Sequence, residues 1–155
     1  MAIALVSLNS QVGNRVLLHV CDETSLAEGL RLRAASSLID SGDSRCLSSV
    51  ENILRKTTDP SIKTAALLDL ARVRRLIPAA LAPRIHNTLL ASLQDPLSAV
   101  RQYASECIAT LGDKTAAPDL QTAIANESDE LTRAHMEEAL RALESQSSEG
   151  PLSRN

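Results

Sequence analysis

The chain has 155 residues, a formal net charge of −3 and a hydrophobic content of 44%. This length fits one compact domain with enough apolar material for a core. No run approaches the ~18 apolar residues of a membrane span, so we expect none. Phe and Trp are absent, and the single Tyr stands at position 103. A core made of Leu, Ala, Ile and Val, almost without aromatic strand formers, favours helices.

The first predicted helix is marked by Val12, Val16 and Val20, which repeat at helical spacing. The preceding segment, Met1 to Leu8, is compatible with another helix or with a frayed end. The next helix begins near Leu30-Arg31 and carries Ala34 and Leu38 on one face. Gly42-Asp43 ends it, because glycine readily adopts the left-handed conformation of a helix C-terminus.

The same spacing of residues recurs further along the chain. A second helix of the first pair is predicted from Leu47, Val50, Ile53 and Leu54. Lys63 then repeats the position of Arg31, with Ala66 three and Leu70 seven residues on. Its companion helix follows Pro78 and carries Leu81, Ile85, Leu89 and Leu93.

The clearest copy spans residues 100–113, with Val100-Arg101, Ala104, Cys107, Ile108 and Leu111 before Gly112-Asp113. A second helix follows Thr115, with Pro118 in its first turn, where proline is tolerated. It carries Leu120, Ala123 and Ile124. The last copy begins at Arg133, with Met136 and Leu140. We predict one repeat domain over residues 1–144 and a disordered tail over 145–155.

Four cations therefore anchor four copies, separated by 32, 38 and 32 residues: Arg31, Lys63, Arg101 and Arg133. Periods of this size indicate stacked supersecondary units. Residues 93–113 resemble the HEAT-like repeats of phycobilisome lyases, through Leu93, Asp95, Val100-Arg101, Ala104 and Leu111-Gly112-Asp113. The resemblance implies an all-α solenoid of about four helix-turn-helix repeats. It also implies a structural ladder in which the anchor cations pair with turn aspartates, here Asp59, Asp95 and Asp129.

Charge is unevenly distributed along the chain. Residues 31–101 carry a balance of +5, whereas residues 102–155 carry −6. Such asymmetry can direct the choice of a partner. Cations outside the anchor positions are the predicted partner-binding residues: Arg45, Arg55, Lys56, Arg72, Arg74, Arg75 and Arg84. The alternative interpretation of these side chains is an ordinary solvated face.

The three cysteines, Cys21, Cys46 and Cys107, form no CxxC pair. We therefore predict buried cysteines, no disulfide scaffold, no zinc site and a cytoplasmic location. The histidines at 19, 86 and 135 lack companions with ligand spacing, so we predict no metal and no other cofactor. The acidic residues Asp129, Glu130, Glu137 and Glu138 are interpreted as helix N-terminal charges and a solvated face.

No glycine-rich phosphate loop or nucleophile elbow is present, so the sequence favours a binding protein rather than an enzyme. We predict an adaptor or scaffold that binds an acidic segment of another protein. Two alternatives stay open: a non-specific nucleic-acid binder, which would lack aromatic stacking platforms, and a non-catalytic subunit of a bilin-lyase-like complex.

Overall fold

The computed structural model of the protein describes residues 11–76 and 81–146, and within these ranges it is all-helical and contains no strand. The contacts divide the chain into two compact units, residues 1–82 and 83–155. The helices of the first unit are α1 (Gln11–Asp22), α2 (Glu28–Asp40), α3 (Leu47–Lys56) and α4 (Pro60–Leu76). Then come α5 (Ala82–Ser92), α6 (Ser98–Leu111), a single 3₁₀ turn (Lys114–Ala116), α7 (Ala117–Asn126) and α8 (Glu130–Ser145).

The two Gly-Asp turns close α2 and α6 in the same way. Gly42 and Gly112 have φ of 82° and 65°, as predicted for residues that end a helix in the left-handed region. The amide of Asp43 donates to the carbonyl of Leu38 at 2.9 Å, and that of Asp113 donates to Ile108 at 3.2 Å. These bonds across the last turn satisfy carbonyls that the helix leaves without a partner.

In the first unit, α2 contacts α1, α3 and α4, and α3 also contacts α4. The four predicted core positions of α3 are all buried, since Leu47, Val50, Ile53 and Leu54 are each at most 5% exposed. The helices α2 and α4, which contact α3, also bury large apolar residues, which include Leu38, Ile39, Leu67 and Leu70. The pattern of period 3.6 therefore identified the inner face of this helix correctly.

In the second unit, α8 contacts α6 and α7. Val100, Ala104 and Ile108 of α6 are fully buried, as the sequence pattern predicts, and so are Leu120 and Met136. Tyr103 lies on the same helix and is half-buried. In α5 the predicted face is confirmed at Ile85 and Leu89, which are buried, and Leu93 is buried just after the helix. Leu81, just before the helix, is half-buried.

The first helix forms where the valines indicate it, but the valines do not mark its inner face. Val12 is 65% exposed and Val16 is 40% exposed, whereas Leu17 and Cys21 are buried against the rest of the unit. Spacing alone could not choose between these two stripes, since both repeat every four residues.

The ends of the chain are described only in part. Helix α8 continues to Ser145, so the prediction of a tail is wrong at that residue, and residues 147–155 lie outside the described part. The segment from Met1 to Leu8 and the predicted turn at Pro78 also lie outside it. None of the described helices has the length and apolarity needed to cross a membrane.

Candidate functional site

The predicted partner-binding cations of the first unit differ in how they are held. Arg55 and Lys56 are exposed in the last turn of α3, and Arg55 donates to the side-chain oxygen of Asn52. Arg45 stands just before α3 and donates from Nε to Asp43 Oδ1 at 2.9 Å. That bond lowers the pKa of Asp43. Arg45 remains 63% exposed, so a partner can still reach it.

Arg72 is engaged inside the first unit. Its guanidinium donates to Asp69 Oδ1 at 2.7 Å and also to Asp40, which lies in α2. Asp69 additionally accepts a hydrogen bond from the hydroxyl of Ser36. This chain of four side chains links α2 to α4. Arg72 is thus committed to internal ion pairs, which the sequence prediction of a partner-binding role did not anticipate.

Burial raises the pKa of Asp69, and the hydrogen bond from Ser36 and the charge of Arg72 offset this only in part. The hydrogen bond with Asp40 is the main reason why the pKa of Arg72 is raised. The available signal in the sequence was the i,i+3 spacing of Asp69 and Arg72. It gives no indication of Ser36, which is 33 residues away.

The structure gives less information about the other predicted partner-binding cations. Arg74 and Arg75 fall in the last turn of α4, and their side chains lie outside the described part of the structure. Arg84 is exposed near the start of α5. It belongs to the second unit, whereas Arg45, Arg55 and Lys56 belong to the first.

Three anchor cations donate to backbone carbonyls that precede their own helices. Arg31 donates from Nε to the carbonyl of Cys21 at 3.1 Å, and Arg133 donates to the carbonyl of Glu127 at 3.2 Å. Arg101 donates to the carbonyl of Asp95 at 2.7 Å in the same manner. These three anchors therefore satisfy backbone acceptors where the chain leads into their helices. The fourth anchor, Lys63, is buried in the first turn of α4.

The strongest ion pair of an anchor involves a residue that the sequence did not single out. Arg101 donates from Nε and from an NH2 group to the two carboxylate oxygens of Glu127, at 2.6 and 2.7 Å. The Glu127 side chain is 1% exposed and that of Arg101 is 19% exposed. These bonds lower the pKa of Glu127 to about 2, against the cost of burial.

The predicted ladder aspartates act mainly on helix starts. Asp59 Oδ1 accepts from the amide of Ser61 at 2.8 Å, and Asp129 Oδ1 accepts from Thr132 at 2.8 Å. Asp95 accepts from the amide of Leu97 at 2.9 Å. Carboxylates in these positions satisfy amides that the helix leaves free and favour the positive end of its dipole.

Two cysteines meet, contrary to the sequence prediction. Cys21, in the last turn of α1, and Cys46, directly before α3, form a disulfide with their Cα atoms 6.3 Å apart. Both residues are fully buried. The expectation of burial is confirmed, but the expectation that the cysteines form no disulfide scaffold is wrong for this pair. The partners are separated by 25 residues, a distance that no CxxC pattern can reveal.

The third cysteine, Cys107, is a buried free thiol. Burial raises its pKa to about 12, with a smaller contribution from Glu106. A thiol in this state is a poor nucleophile and a poor metal ligand.

Within the described part of the chain, one group of three potential ligands lies within 4.8 Å: Cys21, Asp22 and Cys46. The two sulfurs bond to one another, so they are not available as thiolate ligands in this state.

The second unit contains a groove of about 350 Å³ between α6 and α8. Three alanines, Ala109, Ala139 and Ala142, form part of its walls, together with Glu106, His135 and Glu138. His135 thus has carboxylates nearby, but the three polar groups do not reach ligand distance from one another. His86 is held elsewhere, with Nδ1 2.8 Å from Asp113 Oδ2.

No protein-family model, curated protein or solved structure matches the chain.

Proposed function

We propose that the protein is a protein-protein interaction module, an α-solenoid of about four HEAT-like repeats that binds an acidic segment of a partner. The repeat interpretation is supported by the contact of α2 with α4 and of α6 with α8, the first helices of successive pairs. The identical closure of the Gly42 and Gly112 turns supports it as well.

The observation that carries the binding proposal is the exposed basic end of α3. Arg55 and Lys56 extend into solvent there, and Arg45 lies at the other end of the same helix. In HEAT-like solenoids the second helix of each pair lines the concave surface, where partners bind. Paired guanidinium and ammonium groups on such a helix would attract carboxylates and raise the association rate.

The proposal is tested with a fluorescently labelled polyglutamate peptide as the acidic probe. The double variant R55E/K56E should weaken binding by at least about tenfold, since two attractive contacts become repulsive. The matched control R15E/R141E changes the net charge equally at exposed positions on α1 and α8. It should bind the probe as the wild type does.

Equal losses in both double variants would mean that only net charge matters, and the proposed surface would be refuted. A mixed-sequence single-stranded DNA serves as a second probe. Tighter binding of the DNA than of the peptide, with a steep decline as salt is added, would favour the nucleic-acid alternative instead.

A further inference from the structure

We propose that Cys21 and Cys46 form a redox-modification site, at which a reversible disulfide controls how firmly α1 is held to the start of α3. The site goes beyond the binding function proposed above and does not depend on it. Small-molecule disulfides and dithiols are the chemical class of its reactants.

In the described part of the chain, a hydrogen bond from α3, another from α2 and the disulfide meet at the end of α1. Next to Cys21, Asp22 accepts a hydrogen bond from Ser49 of α3 at 2.9 Å. The carbonyl of Cys21 accepts the bond from Arg31 of α2. The disulfide adds a covalent link between the same two helix ends. The two cysteines therefore meet in a preformed setting that positions them even when the bond between them is broken.

The two sulfurs have different surroundings. Cys46 directly precedes α3, and its carbonyl accepts hydrogen bonds from the amides of Ser49 and Val50 in the first turn of that helix. Negative charge on sulfur is favoured at this end of a helix. A carboxylate oxygen of Asp22 lies 3.6 Å from the sulfur of Cys21 and within 4.8 Å of the sulfur of Cys46, so it does not distinguish the two. The position at the helix start does, and Cys46 is the attacking thiolate and Cys21 the resolving thiol.

The thiol–disulfide exchange takes place in two steps. The Cys46 thiolate attacks one sulfur of a small-molecule disulfide, which forms a mixed disulfide and releases one small thiolate. Cys21 then loses its proton to solvent and attacks the Cys46 sulfur, which forms the internal bond and releases the second small thiolate. Two electrons pass from the protein thiols to the reagent. A dithiol reverses both steps.

Access to the pair is gated by α1 itself. Both cysteines are fully buried, yet Asp22, the next residue in the chain, is exposed. The pair therefore lies just beneath the surface, and a small local opening at the end of α1 suffices to admit the reagent. Cys107 lies on α6 in the second unit, where burial raises the pKa of its thiol to about 12, so it should not take part.

The test begins with counting thiols. The folded protein is incubated with oxidised glutathione or with dithiothreitol, then unfolded and labelled with a maleimide mass tag. We expect one tag per monomer after oxidation, on Cys107, and three after reduction. The C107S variant should carry no tag after oxidation and two after reduction. In the C21S variant the mixed disulfide on Cys46 cannot be resolved, so this variant should carry one tag and one glutathione after oxidation and two tags after reduction. Three tags on oxidised wild type, or two on oxidised C107S, would overturn the proposal.

The second measurement tests how firmly α1 is held in the oxidised and reduced states. Hydrogen exchange of the amides of residues 11–22 should be at least about tenfold faster in reduced than in oxidised wild type. In the C21S/C46S variant, which lacks both thiols of the pair, it should be independent of the redox reagent. Because reduced wild type needs no substitution, a folding defect in a variant cannot hide the result. Equal exchange in both states of the wild type would refute control of α1 by the bond.

Discussion

In each unit a buried carboxylate links two elements, Asp69 in the first and Glu127 in the second, and the pKa values of these two carboxylates shift in opposite directions. Asp69 in the first unit has a raised pKa, and Glu127 in the second has a pKa of about 2. Both side chains are almost fully buried. Burial alone therefore does not decide the sign of the shift.

The two carboxylates differ in the hydrogen-bond donors that face them. Glu127 accepts from two nitrogens of Arg101 and from the backbone amide of Asp129 at 2.9 Å. Asp69 accepts from a neutral hydroxyl and from Arg72, whose charge is shared with Asp40. A buried carboxylate is stabilised when several donors face it, and otherwise carries the cost of its lost hydration. In the first unit, the disulfide supplies a connection that does not depend on charge.

Loss of the disulfide should have the largest effect on stability. The bond joins residues separated by 25 positions, and closing a loop of that length corresponds to about 3.5 kcal/mol in the chain-entropy model. Urea denaturation with and without reductant measures this difference in the free energy of unfolding. The C107S variant should lose the same amount on reduction. A comparable loss in C21S, which has no bond to break, would contradict the assignment.

Breaking the ion pair between Arg101 and Glu127 should lower the free energy of unfolding by less than loss of the disulfide does. In E127Q the Arg101 guanidinium loses its counter-charge, but it is partly exposed and keeps some contact with water. We expect a loss of about 2 kcal/mol at pH 7. E137Q makes the same chemical change at an exposed position of α8 and should be neutral.

The pH dependence of the same variant gives a sharper test. The pKa of Glu127 is lowered in the folded state, so its contribution to stability is complete above about pH 4.5 and is lost as pH falls towards 2. The difference between wild type and E127Q in urea denaturation should shrink over this window. A constant difference from pH 7 to pH 2.5 would show that the ion pair is not its source.

The paired turns should respond unequally to the same substitution. A left-handed backbone disfavours any side chain, so G42A and G112A should each cost about 1 kcal/mol. At Gly112 the added Cβ would also lie 2.8 Å from the side-chain oxygen of Gln146. That side chain donates to the carbonyl of Ala109, so G112A should cost more than G42A. Thermal unfolding measures both, and in a Q146A background the excess should vanish.

The smallest effect is expected at Asp69, and its pH dependence should have the opposite sign to that of Glu127. D69N removes a poorly compensated charge and leaves groups that can bond Ser36 and Arg72, so stability at pH 7 should change by under about 1 kcal/mol. The pKa of Asp69 is raised in the folded state, so wild type should gain stability relative to D69N as pH falls towards 3.8. A loss over that range would refute the raised pKa.

Local patterns predicted the all-helical class and several helix ends and buried faces. The helix ends at Gly42 and Gly112 follow from backbone geometry, and the buried face of α3 follows from helical periodicity. The capping role of Asp129 follows from its position before α8. In each case the cause lies within a few residues of its effect, which is the range over which a single sequence is informative.

The candidate site depends on longer distances, and there the sequence was less informative. The bonds of Cys21 to Cys46, Arg101 to Glu127 and Ser36 to Asp69 span 25, 26 and 33 residues. Each requires the relative placement of whole helices, which periodicity does not specify. The exposure of Val12 and Val16 has the same origin, since the inner face of α1 is chosen by what packs against it.

The position of the only tyrosine has a practical consequence. Tyr103 is half-buried in α6, and the chain has no Trp, so its intrinsic ultraviolet emission arises entirely in the second unit. The disulfide lies entirely in the first. Thermal unfolding of the second unit can therefore be monitored by tyrosine fluorescence. Unfolding of the first can be monitored by the accessibility of its disulfide to a reductant, so the two units are observed separately without an attached probe.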